Sequence, residues 1–219
     1  MIDWTTMGPQ LATSIQQTLF MVIITMIIGG ILGLLIGILL YATRPGNILA
    51  NTVLFNVLNF LINIVRPIPF IIFISLVGPW TLSVIGTSIG TEAAIFPMTL
   101  MTAVVLGRIV EQNLVGVDPG VVEAARAMGS SRTRVLFDVV LRESLAPLVL
   151  GYTFIFIGVV DMSAVAGYIG GGGLGDLAIT YGYQQFNYAV TLLAVAVIVV
   201  IVQLAQLLGN FLARRMMHR

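Results

Sequence analysis

An all-α integral membrane protein with five transmembrane helices is the fold class this sequence predicts. Three observations lead to it. The chain is 58% hydrophobic and only 9% charged, where a soluble domain carries about 25% charged residues. Its mean hydropathy is +1.07, and long stretches hold no charge at all, the first from Trp4 to Thr43. Ten of the nineteen charged residues gather instead between Arg108 and Glu143, so one internal loop is presented to water.

A helix crossing roughly 30 Å of hydrocarbon needs about 20 apolar residues. The first candidate is Thr18–Tyr41. It carries Gly29, Gly33 and Gly37 at four-residue spacing, a repeat that lets a neighbouring helix approach closely. Arg44-Pro45-Gly46 then makes a turn. The second span is expected from about Asn51 to Val77 and the third from about Glu92 to Val110. The charged loop follows, at about 111–144. A fourth span covers Leu145–Ala166 and a fifth Tyr188–Ala213. The chain reads as one transmembrane domain over 1–219, with its two termini on opposite sides.

Arginine sets the expected orientation. Arg44, the five arginines from Arg108 to Arg142, and Arg214, Arg215 and Arg219 fall on one side of this layout, while residues 1–17, 78–91 and 167–187 contain none. The positive-inside rule then places the N-terminus outside and the C-terminus in the cytoplasm. The start of the chain has no basic residue before Arg44, so a cleaved signal peptide, which opens with positive charge, is not expected.

Composition also excludes functions. Net charge is +1, so no acidic or basic balance argues for nucleic acid. Cysteine is absent, removing disulfides, thiolate metal sites and thiol nucleophiles. Lysine is absent as well, which excludes the phosphate loop whose lysine contacts nucleotide. Any ATP must therefore be bound by another chain. The lone histidine is His218, and no span carries paired acids. No catalytic residue, cofactor site or metal site is expected, and an intramembrane enzyme is poorly supported.

Within the charged loop, Asp118-Pro119-Gly120 reads as a helix start, with Asp118 as cap and Pro119 in the first turn. The helix runs through Glu123-Ala124-Ala125-Arg126-Ala127-Met128 and stops at Gly129, a residue that readily closes a helix end. Ser130 or Ser131 caps a second helix over about 132–141. The product is a helix–glycine–helix elbow. Ala124 and Ala125 leave a shallow surface, Val121, Val122 and Met128 give apolar contact, and Glu123 and Arg126 give polar anchors. Docking to a partner and lying on the lipid surface both suit this pattern.

EAARAMG at Glu123–Gly129, followed nine residues later by Val139-Val140-Leu141, resembles the EAA loop of permease subunits from bacterial ABC importers. Arg142 stands where that motif has proline, with Pro147 five residues on. A second EAA at Glu92–Ala94 has Met98 in place of the glycine. YATRPGNILAN (Tyr41–Asn51), NIVRPIPFII (Asn63–Ile72), GTSIGTEAAIFP (Gly86–Pro97) and AGYIGGGGLGDLA (Ala166–Ala178) extend the resemblance, which is to the methionine-uptake permeases in particular. It implies a type I ABC importer permease fold in the bacterial inner membrane. It also implies a second copy of the chain, two cytoplasmic ATPase subunits and an extracytoplasmic methionine-binding protein. Glu123, Ala124, Ala125, Arg126, Met128, Gly129 and Leu141 become the expected ATPase-coupling residues. A permease for polar amino acids or osmoprotectants carries the same loop and is the alternative; proton-driven transport is a more distant one.

Polar residues inside the spans are the remaining signal. Thr52, Asn56, Asn59, Asn63 and Arg66 lie 4, 3, 4 and 3 apart and share one helical face. At membrane depth such groups face a partner or a cavity. Arg66 either meets the substrate carboxylate in the pathway or pairs with Asp161 in the fourth span, and the pair is the expectation. Pro67 and Pro69 predict a kink just after Arg66. Met162, beside Asp161, either packs or helps close the pathway. Gly170, Gly172 and Gly175 match a dinucleotide fingerprint literally but lack its strand–helix setting; a tight bend at the membrane edge is expected there.

Overall fold

The structure is a computed structural model that describes residues 4–47 and 49–217; Arg219 and His218 lie outside them. Four helices are long and apolar enough to cross a membrane: within Met7–Thr43, Thr91–Val115, Leu145–Gly171 and Tyr188–Met217. A fifth crossing is the bent pair Thr52–Val65 and Phe70–Leu76. Among the described residues the architecture is entirely helical.

Helix α1 (Trp4–Thr43) is one unbroken rod of 40 residues, far longer than the expected Thr18–Tyr41. Its packing partner is α5 (Thr91–Val115). Gly29 lies against Thr102, Gly33 against Leu106 and Gly37 against Val110. A Cβ built on Gly33 would stand 2.8 Å from Leu106 Cβ, so the repeated glycine is what allows the two backbones to approach. The contacts advance together along both helices, and α1 and α5 are therefore parallel. Parallel neighbours require residues 44–90 to return the chain from the end of α1 to the start of α5, which is the topological basis of the fifth crossing.

That return bends more sharply than the kinked single span expected over about 51–77. Helix α2 (Thr52–Val65), capped by Asn51 accepting from the Leu54 N–H at 3.1 Å, ends where the Arg66 N–H reaches the Ile62 carbonyl. Pro67 and Pro69 cannot donate helix hydrogen bonds, and α3 (Phe70–Leu76) leaves at 108° to α2. The expected kink is thus a full corner. Helix α4 (Gly78–Ile85) completes the return.

After α5 comes α6 (Pro119–Ala127). Helix α7 then opens at Arg132–Arg134, widens to a π-helix over Val135–Val140 and closes at Leu141–Glu143. Helix α8 (Leu145–Ala166) matches the expected fourth span. A glycine-rich stretch leads to a short α9 (Gly173–Asp176), a π-helical run over Leu177–Tyr183, and α10 (Tyr188–Met217). The core lies between α1, α5 and α8, with Met21, Leu106, Val110, Val140 and Val159 almost fully enclosed.

Two ends of the bundle can be distinguished. At one, the glycine-rich stretch is tied down by hydrogen bonds. The Gly173 N–H donates to Gln17 Oε1 and the Leu174 N–H to Thr18 Oγ1, both at 2.8 Å. The Gly90 N–H reaches the Gly170 carbonyl, and Thr91 Oγ1 the Gly171 carbonyl, each at 3.0 Å. The run is a tight bend, exposed at Tyr168–Gly170 and buried from Gly173 to Gly175, with no strand beside it among the described residues. At the other end α1, α5 and α10 finish, α2 and α8 begin, and the elbow of α6 and α7 projects.

Candidate functional site

The elbow is built by its caps. Asp118 Oδ1 accepts from the Gly120 N–H at 2.8 Å, with Pro119 opening α6. At the far end the Ser130 N–H bonds the Ala125 carbonyl at 3.1 Å and the Gly129 N–H the Arg126 carbonyl at 3.0 Å. This closure places Gly129 at φ +80°, a conformation that costs a side-chain-bearing residue strain. Ser131 Oγ then caps α7, accepting from the Arg134 N–H at 3.4 Å.

Those caps fix which face of α6 looks outward. Glu123, Ala124, Arg126, Ala127 and Met128 are exposed, Met128 at 80%. Ala125 is buried and Val122 packs inward on the core. The expectation that Ala124 and Ala125 share one shallow surface is therefore corrected: four-residue periodicity turns Ala125 toward the core, and Ala124 alone is presented. Leu141 is half-buried against the core rather than on the outer face. Beneath α6 lies a cavity of about 350 Å³ bordered by Arg44, Asn47, Glu123 and Arg126.

Arg142, in the family's proline position, does not end the helix. It lies in the last turn of α7, exposed, 3.8 Å from Asp138, a surface pair that contributes little stability. The chain changes helix at Ser144, whose Oγ donates to the Val140 carbonyl at 2.7 Å. Pro147 sits in the first turn of α8, where its missing N–H breaks no bond.

The polar face of α2 has a partner that the sequence reading missed. Helix α5 continues to Val115, five residues beyond the expected end, and so carries Glu111 on the same helix as Arg108. Arg108 bonds Glu111 Oε2 at 2.5 Å and Asn63 Oδ1 at 2.9 Å, and also hydrogen-bonds Asn59 Oδ1. Glu111 is 3% exposed, and its other oxygen is 3.8 Å from Arg44. A buried carboxylate thus holds one arginine closely and a second at longer range, and the closer one forks onto two amides of α2. The available signal was depth. Asn59 is seven residues from the start of α2 and Arg108 seven from the end of α5, each about 10 Å from the same end of the bundle.

Arg66 and Asp161 do not form the expected pair. Among the described residues neither takes part in an ion pair, and both are exposed. The corner after Val65 explains this. The apolar neighbours Val65 and Met162 pack on the cluster of Phe73, Val77 and Met101, while the two charges point to the surface. Asp161 borders a cleft with Phe154 and Gly158. Met162 packs against the core clusters.

Residues 29–218 match the family described as binding-protein-dependent transport system inner membrane component. The chain belongs to this family. The family assignment accounts for the multi-pass apolar helices and places the chain in the inner membrane. The probable D-methionine transport system permease protein MetI of Vibrio cholerae is 37% identical over 209 residues, covering 95% of this chain and 93% of that protein. The methionine import system permease protein MetP of Bacillus subtilis is 38% identical over 80% of this chain and 78% of its own length. Among solved structures, an inward-facing MetNI methionine ABC transporter superposes with a TM-score of 0.92 at 38% identity, covering 96% of this chain and 97% of the other. An amino acid ABC transporter solved with histidines has a TM-score of 0.79 at 21% identity and shares the fold.

Proposed function

We propose that this chain is the membrane-spanning permease subunit of an ATP-driven ABC importer for methionine. The observation that carries the proposal is likeness over nearly the whole chain to the permease of a methionine ABC transporter. Hydrolysis belongs to a separate ATPase: this chain has no lysine for a phosphate loop, and its transport role requires no covalent chemistry. Two copies of the permease enclose the pathway, two ATPase subunits dock beneath, and an extracytoplasmic methionine-binding protein delivers substrate. The positive-inside rule favours the elbow end as cytoplasmic, since Arg44, Arg108, Arg126, Arg132, Arg134, Arg142, Arg214 and Arg215 lie toward it.

Mechanically, α6 is the coupling helix. Glu123, Ala124, Arg126 and Met128 form its docking face, while Ala125, Gly129 and Leu141 hold its shape. ATP-driven closure of the two ATPases moves the elbows together, and the rigid helices carry that movement to the far end of the pathway, giving alternating access.

Affinity purification of the tagged chain from its own membrane is the direct test. An ATPase subunit is expected to copurify in equal amount, and excess methionine to suppress labelled methionine uptake in vesicles. Absence of an ATPase, or suppression by glutamine, histidine or betaine but not by methionine, would overturn the proposal.

A further inference from the structure

We propose that Arg108 is a latch fastening α2 to α5, so that movement of the elbow is carried into α2. The inference rests on the transport reading above. Helix α2 is poorly held by apolar packing. Of its fourteen residues only Ile62 is buried, while Val53, Val57, Phe60, Leu61 and Ile64 are exposed by 49–73%. Its attachment to the protomer depends heavily on the fork from Arg108 to Asn59 and Asn63.

The same arginine is anchored on the element that meets the elbow. Helix α5 ends at Val115, and only residues 116–118 separate it from α6. Glu111 lies one turn before that end, bonds Arg108 directly and draws in Arg44 from the end of α1. A displacement of α6 therefore reaches α5 through three residues, and reaches α2 through one guanidinium. The geometry requires arginine. A planar fork serves a carboxylate with one nitrogen and two amide oxygens with the other, whereas a lysine ammonium is a single point donor. Arg108 acts here as a positioning residue; no contact with substrate is involved.

The permease with its ATPase, reconstituted in proteoliposomes, tests the latch with Arg108→Lys and with the double variant Asn59→Ala, Asn63→Ala. Both are expected to assemble and hydrolyse ATP within about twofold of the parent, while methionine taken up per ATP falls about tenfold, within the range of a single coupling interaction. Unchanged uptake per ATP, or hydrolysis and uptake falling together with assembled yield, would overturn the latch.

A second readout needs no substrate. The chain has no cysteine, so Val57→Cys on α2 and Val115→Cys on α5 can carry a spin-label pair in one copy. In the otherwise parental chain a non-hydrolysable ATP analogue should leave their distance unchanged. In the Asn59→Ala, Asn63→Ala background it should shift by a few Å, on the order of helix shifts in switching proteins. Equal behaviour in the two backgrounds contradicts the latch. A parent that imports no methionine instead contradicts the transport reading, and the label distances still judge the latch.

Discussion

Ala124→Arg should abolish capture of the ATPase while leaving the permease folded. Ala124 is exposed on α6 beside Glu123 and Met128, and its neighbour Ala125 faces the core. A long cation at position 124 therefore grows outward, where it disturbs no internal packing. In a docked complex it would be forced against the partner. Removal of one well-placed interface residue costs 2 kcal/mol or more, about thirtyfold in affinity, and burying an unpaired charge adds to that. Pull-down of the ATPase should fall at least that far, with the elution profile of the permease in detergent unchanged. Ala125→Arg provides the contrast: it drives charge into the core and should reduce the yield of folded permease itself. Equal ATPase capture by Ala124→Arg and the parent would remove α6 as the docking face.

The second large effect is expected at Glu111. Glu111→Ala leaves the half-buried Arg108 with two amide acceptors and no close counter-charge, and removes the carboxylate 3.8 Å from Arg44. Breaking a buried pair by deleting one member costs about 3–5 kcal/mol. The folded fraction recovered in detergent should drop sharply, and Glu111→Gln, which keeps an acceptor oxygen, should recover part of it. Thermal unfolding of the purified variants measures this. A melting temperature for Glu111→Ala within a degree of the parent would mean that the buried carboxylate stabilises nothing.

The sequence made the elbow legible because its signals are local. Asp118, Pro119, Gly129 and Ser131 each act within one turn of chain, and every one of these caps is present in the structure. The spans were legible for a similar reason, since apolar length depends on little else. Long-range geometry was not. Pro67 and Pro69 announced a break but not a 108° corner, and that corner is what turned Arg66 away from Asp161. The partner of Asn59 and Asn63 was hidden by its charge. Arg108 fell within the expected third span but was grouped with the charged loop, and with that span stopped at Val110 its carboxylate partner Glu111 lay outside the helix. Ala124 and Ala125 look alike in sequence, and only the packing of α6 on α7 separates them. Arg142 cost the elbow nothing because the change of helix is made at Ser144.

Uptake of labelled methionine into proteoliposomes holding this permease, its ATPase and the binding protein tests the whole account most directly. With ATP supplied on the elbow side, uptake should proceed and should cease in complexes carrying Ala124→Arg. Uptake that persists without ATP, or that Ala124→Arg leaves intact, would contradict it.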